Sequence, residues 1–410
     1  MNEPSALAPL EALGILQQDA PTLGSERVEL IDALGRVLAE DLASQCDHPG
    51  VDNSGLDGYA CRVGDAADAR QAAPARLRLV GEAPAGRPFD GRVGPGEAIR
   101  IFTGAAVPAG ADGIVPVEAS REVEGGWVEL LQPARAADIR RRAQDLEQGQ
   151  VYLRRGRRLD AAALGLAAGM GHATVPAVRR PRVALLTTGD EVVDPGRPLQ
   201  RGQVYDSNAA SLMALGQAAG ASMVRLPRVG DDAGALERAL EQLGAVDLLL
   251  TSGGVSMGRY DRVRDLLFGR GAVRFWKVAM KPGGPALYGR LGELPVLGLP
   301  GNPVSSMVVF LVLARAYLDA ALGRSDPPPY LDRRPARAGT PFHGAAAKES
   351  LPRARLTHGA EGIVATALTN QSSGVLRSMS EGDALAVVPP GRDIGAGAPV
   401  DVIPLAGHLR

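Results

Sequence analysis

The feature that most constrains the fold is an alternation of two kinds of segment between residues 182 and about 325. Apolar, strand-like runs such as RVALLTT and DLLLTSGG alternate with helix-like segments such as NAASLMALGQAAG and DAGALERALEQLG. Parallel strands need a crossover connection, which is usually a helix. The order therefore predicts βαβ units and a mostly parallel sheet with helices on both faces.

Three more apolar segments follow in the same region. PALYG and PVLGLPG predict two further strands, and PVSSMVVFLVLARAYLDAALG predicts a long helix. Because this helix is apolar on all sides, we expect it to be buried in the core.

The segments on either side of this region have a different pattern of apolar residues. At 410 residues the chain exceeds what one hydrophobic core usually serves, so we expect two to four domains. Between about 46 and 140, brief apolar runs are punctuated by Gly and Pro, which predicts a small β domain with strands near 77–80, 98–102, 113–117 and 127–131. Residues 6 to 43 predict either two short helices or a helix and a strand. The last 75 or so residues predict a small terminal β domain.

Composition excludes several classes of protein. The net charge of −1 gives no reason to expect nucleic acid as a partner. Cys46 and Cys61 lack the spacing of a zinc site and are too few for a disulfide scaffold. The N-terminus lacks the pattern of a signal peptide and no run reaches about 18 uninterrupted apolar residues, so we expect a cytoplasmic protein without a membrane span.

Residues 138 to 158 carry seven arginines. Two interpretations remain open from the sequence: a solvated linker face, or a surface that faces an anion.

Ligands of parallel α/β sheets bind outside the carboxyl ends of the strands, so the strand-to-helix junctions are the candidate site. The first junction places Thr187, Thr188, Gly189, Asp190 and Glu191 after a strand, either as a plain surface turn or with the Glu191 carboxylate in the crevice. The second reads TSGGVSMGRYD, and its glycines would let backbone N–H groups approach phosphate oxygens, with Ser252 and Ser256 adding hydroxyl contacts. It is neither a P-loop nor a dinucleotide fingerprint.

The third junction, FWKVAMKPGGP, holds two of the only three lysines among 45 basic residues. Strand alternation would put Phe275, Lys277, Ala279 and Lys281 on one face, with the lysines roughly 13 Å apart. Lysine is a compact charge on a flexible stem, whereas arginine is a rigid planar fork. The pattern indicates either an extended anionic ligand or two solvated lysines on an edge strand.

Seven stretches in this order carry a family resemblance: DNSGLDGYA, FTGAAVPAGAD, TTGDE, GQVYDSN, TSGGVSMGRYD, FWKVAMKPG and GLPGNPVS. Each is weak alone, but the ordered set, from about residue 7 to about 405, resembles the molybdopterin molybdenumtransferase family, which is related to the E domain of gephyrin.

The resemblance implies an α/β multidomain fold. It implies a molybdopterin-binding α/β domain over 182–328 and a C-terminal β-barrel over 329–410. It also implies an elongated helical region made of 1–45 and 141–181, interrupted by the inserted β domain over 46–140. The family forms homodimers with the active site between the α/β domain of one subunit and the inserted domain of the other. Transient contacts with molybdopterin adenylyltransferase and with maturation factors of molybdoenzymes are also implied.

The implied reaction converts adenylylated molybdopterin and molybdate, with Mg²⁺, to molybdenum cofactor and AMP. The residues that the resemblance implies for catalysis are Asp57, Thr103, Asp145, Glu191, Asp231, Asp261, Lys277 and Lys281. Glu191 and Asp261 would hold Mg²⁺. The residues implied for substrate binding are Thr188, Gly189, Asp190, Ser207, Asn208, Ser252, Gly253, Gly254, Ser256, Pro300, Pro303 and, as a weaker match, Ser373.

The sequence departs from the family pattern at three places. Gly284 stands where a third lysine is frequent, Ala143 and Gln144 replace a Gly-Glu pair, and Arg264 stands where lysine is common. These changes bear on substrate affinity and metal preference. Arg259, Arg262 and Arg264 are the sequence's candidates to replace the missing cation.

Two alternatives compete with this reading. An adenylyltransferase of the same pterin-binding lineage would resemble only the α/β domain. A non-catalytic scaffold of the gephyrin kind would be expected to have lost acidic site residues, whereas Glu191, Asp231 and Asp261 are all present.

Overall fold

The structure, a computed structural model, describes residues 6–229, 233–241, 243–254, 262–360 and 362–405. Its central sheet has six strands, in the spatial order Ser222–Arg225, Arg182–Thr187, Leu248–Ser252, Leu294–Leu299, Leu287–Leu291 and Ala272–Trp276. The first four are parallel, and only Leu287–Leu291 runs against its neighbours. The predicted mostly parallel sheet is confirmed. One strand is inverted because two residues join it to Leu294–Leu299, and so short a turn permits only antiparallel pairing.

Both faces of this sheet are buried. Along Arg182–Thr187, Val183 and Leu185 join one core, while Ala184 and Leu186 join another. This period of two is what a strand buried on both sides requires. The covering helices are Ser207–Ala218, Ala233–Glu241, Arg262–Arg270 and the long helix described next.

The predicted core helix is confirmed and spans Pro303–Ala321. It consists of Pro303–Val309, a π-helical turn over Phe310–Ala314, and Arg315–Ala321. By length and composition it could cross a membrane, but 94% of its most apolar window is buried inside the protein. Its hydrophobicity is therefore accounted for by the core.

Residues 6–29 form a helix and a strand, which is the second of the two alternatives given for residues 6 to 43. The helix Pro9–Asp19 buries Ala12, Leu13 and Leu16 against the core that contains the long helix. The strand Ser25–Glu29 pairs antiparallel with Thr174–Val178.

The two chain segments that flank the inserted domain pack on each other. Besides the strand pair just described, Leu42–Ala43 pairs with Val151–Leu153. The helix Ala161–Gly169 begins at Asp160, whose side chain accepts a hydrogen bond from the Ala163 N–H. The flanks thus contain two small sheets as well as two helices, Pro9–Asp19 and Ala161–Gly169, so strands contribute to this region together with helices.

The inserted segment is a β domain, as predicted, and its main sheet has six strands, two more than the sequence indicated. Its spatial order is Gly113–Pro116, Gly58–Cys61, Glu97–Ile101, Ala75–Ala83, Trp127–Leu130 and Ser120–Val123. A separate two-stranded pair, Asn53–Ser54 with Ile139–Arg140, closes its base. Short 3₁₀ turns lie at Leu30–Asp32, Val63–Ala66, Val117–Ala119 and Ala136–Asp138.

The C-terminal segment is a closed five-stranded barrel, which confirms that prediction. Its order is Arg334–Ala338, Gly362–Ala367, Arg353–Gly359, Ala384–Val387 and Pro399–Pro404. A short helix, Arg377–Glu381, packs beside it. Two small pairs link loops elsewhere: Val192–Val193 with Val204–Tyr205, and Met280–Lys281 with Glu349–Ser350.

Candidate functional site

The candidate site begins where the chain changes direction across the central sheet. Arg182–Thr187 connects to Ser222–Arg225 on one side, and the chain then returns to Leu248–Ser252 on the other. Such a switch point leaves a crevice between the two carboxyl ends. The ends touch there, because the Thr188 N–H donates to the Ser252 carbonyl at 3.1 Å.

Two consecutive glycines line this crevice. Gly253 and Gly254 have φ of 91° and 70°, a region that favours glycine. A Cβ on Gly253 would lie 2.7 Å from Thr188 Oγ1, so no side chain fits there. The bare backbone can be approached closely by a ligand, as the sequence suggested. Ser256, Arg259 and Asp261 lie outside the described residues.

Asn208 ties three loops together at the same edge. Its Nδ2 donates to Ser252 Oγ at 2.8 Å and to the Gly301 carbonyl at 2.7 Å. Its Oδ1 is buried and has no hydrogen-bond partner among the described residues. A buried acceptor without a protein partner needs an ordered water or a ligand donor to satisfy it.

A buried aspartate that the sequence analysis did not identify caps the start of the helix Ser207–Ala218. Asp206 Oδ1 accepts from the Ala209 N–H at 2.8 Å, and Oδ2 accepts from Thr187 Oγ1 at 2.8 Å and from Arg225 at 3.0 Å. The signal was available, since Asp before Ser-Asn at a helix start is a typical N-cap. Ser207, its half-buried neighbour, is the first residue of the helix.

The loop after Thr188 holds an exposed carboxylate. Gly189 has φ of 124°, and a Cβ there would lie 2.8 Å from both Glu191 carboxylate oxygens. Arg228 donates to the Gly189 carbonyl at 2.8 Å, which fixes the turn. Asp190 and Glu191 are exposed at this position. Asp231 lies outside the described residues.

The donor chemistry of this loop suits magnesium. Mg²⁺ takes oxygen ligands and is commonly held by one or two carboxylates together with substrate phosphates and water. Glu191 supplies one exposed carboxylate, and Asp261, the second expected ligand, is beyond the described residues. Within the described ranges no group of three or more His, Cys, Asp or Glu side chains could hold a metal ion by itself.

The stretch FWKVAMKPGGP, called the lysine segment from here on, differs from its sequence prediction. The strand ends at Trp276, Lys277 has φ of 77°, and Met280–Lys281 forms a separate short strand. The predicted alternation is therefore wrong beyond Trp276: Val278 and Met280 join the core that contains Phe275, whereas Trp276 joins the core on the other side of the sheet. Tertiary packing of these apolar side chains overrides the period of two.

Each lysine nevertheless has a defined setting. Lys277 is half-buried, with Nζ 4.4 Å from the centre of the Trp276 ring, a cation–π distance. Arg264, one of the candidate compensating cations, lies 5.9 Å from the same ring. Lys281 is exposed.

The C-terminal domain reaches the crevice through one serine. Asn302 Nδ2 donates to Ser373 Oγ at 3.1 Å, and the Val304 N–H donates to the Ser373 carbonyl at 3.1 Å. Asn302 lies between Pro300, which ends a buried strand, and Pro303, which begins the long helix. The structure thus brings Ser373 to the same turn as Gly301, which Asn208 contacts.

A second group of candidate residues lies on the inserted domain. Asp57 Oδ1 accepts from both the backbone N–H and the hydroxyl of Thr103, each at 2.7 Å. These two hydrogen bonds hold the pKa of the Asp57 carboxyl below its usual value, because they stabilise the ionised form. Both side chains are exposed.

Asp145 lies at the base of the inserted domain, exposed, with its N–H donating to the His48 carbonyl at 3.0 Å. Ala143, two residues before it, has φ of 59°. A left-handed conformation is one that glycine adopts without strain, which explains why alanine is unusual at this position.

The arginines of residues 138 to 158 mostly face aspartates. Arg141, Arg142 and Arg154 form ion pairs with Asp52, Asp47 and Asp41 at 2.6 to 2.7 Å. Each pair neutralises its arginine, which favours the linker interpretation over an anion-facing surface.

Comparison with family models covers most of the chain. The model described as the MoeA N-terminal region (domain I and II) matches residues 7–171. The model described as a probable molybdopterin binding domain matches residues 184–320, and that of the MoeA C-terminal region (domain IV) matches residues 335–405.

Individual proteins give the same result. Molybdopterin molybdenumtransferase 2 of Mycobacterium tuberculosis is 40% identical over 348 residues, which are 82% of this chain and 84% of that protein. Molybdopterin molybdenumtransferase of Haemophilus influenzae is 36% identical over 302 residues, 73% of this chain and 74% of that protein. The crystal structure of the molybdopterin biosynthesis MoeA protein from Pyrococcus horikoshii superposes with a TM-score of 0.81 at 29% identity, covering 98% of this chain and 99% of that one.

Proposed function

Because the chain belongs to the molybdopterin molybdenumtransferase family, we propose that its substrates are adenylylated molybdopterin and molybdate. The protein is a transferase that acts in molybdenum insertion during molybdenum cofactor biosynthesis. The proposed products are molybdenum cofactor and AMP, and the proposed metal ion is Mg²⁺.

The observation that carries the proposal is the composition of the crevice at the switch point. The backbone of Gly253 and Gly254 is bare, and Ser252 and Asn208 lie beside it. Backbone N–H groups and hydroxyls of this kind bind phosphate oxygens. We assign this part of the crevice to the pterin-side phosphate.

The lysine segment is the proposed partner of the remaining negative charge. Lys277 and Lys281 would neutralise the phosphoanhydride and adenylate, and lysine's flexible stem lets each ammonium follow the ligand. An oxygen of molybdate would attack the pterin-side phosphorus and form a new P–O bond while the phosphoanhydride P–O bond breaks, and AMP departs with that bonding electron pair on its oxygen. Cations beside that oxygen stabilise its developing charge.

Magnesium, when bound, would screen the phosphoanhydride charge. Glu191 and Asp261 are its proposed protein ligands. Thr188, Gly189 and Asp190 hold the turn on which Glu191 lies, and Asp231 is proposed to act beside them. The oxyanion is molybdate by family, and tungstate has the same charge and shape, so both belong in the test.

The remaining catalytic residues are proposed to come from a second subunit. Asp57, Thr103 and Asp145 lie on or below the inserted domain, away from the central sheet in sequence and in fold. A homodimer would bring the inserted domain of one subunit to the crevice of the other. Apolar side chains left open to solvent support such an interface, since Ile31 is 87% and Leu34 is 62% exposed. A sedimentation mass near 42.5 kDa at micromolar concentration would count against the dimer.

We propose a cytoplasmic location, which fits these substrates. We also propose transient contacts with molybdopterin adenylyltransferase, which would supply the adenylylated pterin. Further transient contacts would be with maturation factors that accept the cofactor. We propose no nucleic-acid or membrane partner, in keeping with the net charge of −1. The adenylyltransferase alternative is disfavoured because family matches extend over the flanking domains. The scaffold alternative is disfavoured because Glu191 retains an exposed carboxylate in the crevice loop.

The experiment is to mix the purified protein with adenylylated molybdopterin, Mg²⁺ and either molybdate or tungstate, and to follow AMP and metal-bound pterin. The proposal expects both products to form with at least one oxyanion. If AMP forms neither with molybdate nor with tungstate, the proposal is overturned.

A further inference from the structure

The chain contains only three lysines, and the structure brings all three to one loop. Lys277 and Lys281 are part of the segment 277–284, and the third is Lys348, which precedes a strand of the C-terminal domain. Lys348 Nζ lies 3.4 Å from the point that a Cβ on Gly284 would occupy. A chain that otherwise uses arginine therefore collects its lysines from two domains.

Backbone pairing holds Lys348 in this position. The two residues after it, Glu349 and Ser350, pair in parallel with Met280 and Lys281. The Glu349 N–H donates to the Ala279 carbonyl at 2.9 Å. Backbone hydrogen bonds therefore hold the stretch that begins at Lys348 against the lysine segment.

The positive charge of Lys348 is not neutralised by any carboxylate among the described residues. Its side chain is exposed, and among the described residues no carboxylate forms an ion pair with it. The adjacent Glu349 is engaged elsewhere, since its Oε1 accepts from the Tyr330 hydroxyl at 2.5 Å and its Oε2 lies 3.7 Å from Arg333. An exposed cation that has no counter-ion among the described residues is available to an anionic ligand.

Gly284 is what lets the ammonium come so close. The space that a side chain at this buried position would begin to fill is bordered by Lys348 Nζ and by the carbonyls of Met280 and Val278, at 3.4 to 3.5 Å. The loop therefore lacks a cation at Gly284 itself but receives one from the C-terminal domain.

We propose that Lys348 is a third cationic residue of the substrate site, binding the phosphate and adenylate charge together with Lys277 and Lys281. This inference rests on the proposed function of the same site. It assigns the C-terminal domain a direct part in binding the anionic substrate, beyond the contact made by Ser373.

The test compares Lys348→Ala with Arg355→Ala, which removes a positive charge from an exposed position on the barrel. Steady-state AMP release is measured against the concentration of adenylylated molybdopterin. For Lys348→Ala we expect KM to rise roughly tenfold, as for loss of a charge-assisted contact, with kcat within about twofold. The KM of Lys348→Ala should also depend less steeply on ionic strength. Arg355→Ala should match the wild type.

A double variant that moves the positive charge from position 348 to position 284 tests whether substrate affinity can be restored. Gly284 does not have a positive φ, and apart from the removed ammonium a new Cβ would meet only ordinary contacts, so the backbone admits a side chain that begins there. Gly284→Lys combined with Lys348→Ala should restore most of the lost affinity.

Two results would overturn the inference while leaving the proposed function intact. One is an unchanged KM for Lys348→Ala in an enzyme whose wild type releases AMP. The other is a loss of kcat and thermal stability at constant KM, because that would make Lys348 only a brace for the loop. A wild type that releases no AMP would instead contradict the proposed function.

Discussion

Asn208 and Ser252 are joined by a 2.8 Å hydrogen bond that connects the first helix of the central domain to the end of its middle strand. The same Asn208 nitrogen donates to the Gly301 carbonyl at 2.7 Å. Since a carbonyl can only accept, this second bond fixes the orientation of the side-chain amide. The crevice is therefore preorganised by protein contacts before any ligand binds.

Replacing Asn208 by Asp should damage both stability and activity. A carboxylate would face the Gly301 carbonyl, so an attractive contact becomes a repulsive one. We expect a loss of about 1 to 3 kcal/mol in the free energy of unfolding, measured by urea denaturation, and a marked fall in AMP release. Asn208→Ala, which removes the bonds without adding charge, should be the milder variant. Equal stability of Asn208→Asp and the wild type would disprove this role.

Gly189→Ala should disturb Glu191 specifically. Gly189 has φ of 124°, and a new Cβ would lie 2.8 Å from the Glu191 carboxylate oxygens, so the Glu191 side chain would have to move away. Gly196→Ala is the matched control, because Gly196 has φ of 90° but no atom within 4 Å of a new Cβ. Both variants pay backbone strain of order 1 to 3 kcal/mol. Only Gly189→Ala should raise the Mg²⁺ concentration needed for half-maximal activity, by roughly tenfold or more. The same Mg²⁺ dependence in both variants would remove Glu191 from the metal site.

Thr103 should control the ionisation of Asp57. Its two hydrogen bonds lower the pKa of Asp57, so the carboxylate stays ionised throughout the neutral range. A carboxyl with a depressed folded-state pKa contributes stability above its unfolded pKa and loses that contribution as pH falls through the folded value. Thr103→Val keeps the backbone donor and removes the hydroxyl, so the pKa of Asp57 should rise toward its usual value in a carboxyl-selective NMR titration. An unchanged pKa would show that the hydroxyl contributes nothing.

Asp319 should be essential for the stability of the long helix. It is 4% exposed and is paired with Arg315 and Arg324, both at 2.9 Å. Asp319→Ala leaves Arg315 buried without its partner, for which we expect a loss of about 3 to 5 kcal/mol in the free energy of unfolding. Asp326→Ala breaks the exposed pair with the same Arg324 and should cost under about 1 kcal/mol. Similar losses in urea denaturation for the two variants would contradict this distinction.

The sequence predicted the architecture well because its signals are periodic and local. Buried runs such as that of Arg182–Thr187, and the wholly apolar helix beginning at Pro303, each specify one element and its environment. The inverted strand Leu287–Leu291 and the broken strand at Lys277 depend on turn length and on tertiary packing. Neither is encoded in hydrophobic periodicity alone.

The candidate site could be predicted only in part, for the same reason. Strand-end residues such as Thr188 and Gly253 follow from chain order, and the structure brings them together. Lys348 is distant in sequence from Lys281 and lies in another domain, so its approach to Gly284 depends on how the two domains pack. Asp206 carries a local sequence signal, because an Asp directly before Ser-Asn is typical of a helix N-cap.

The central claim is that the lysine segment of one subunit and the Asp57–Thr103 pair of the other form one active site. Asp57→Ala and Lys281→Ala variants with different affinity tags can be mixed, allowed to exchange subunits, and purified as heterodimers. In such a heterodimer a shared cleft leaves one site intact and puts both defects in the other.

The deciding measurement is AMP release by the purified heterodimer. A site shared between subunits predicts about half of the wild-type activity, although each parent homodimer is inactive. A heterodimer as inactive as its parents would place Asp57 and Lys281 in the same subunit's site and contradict the account.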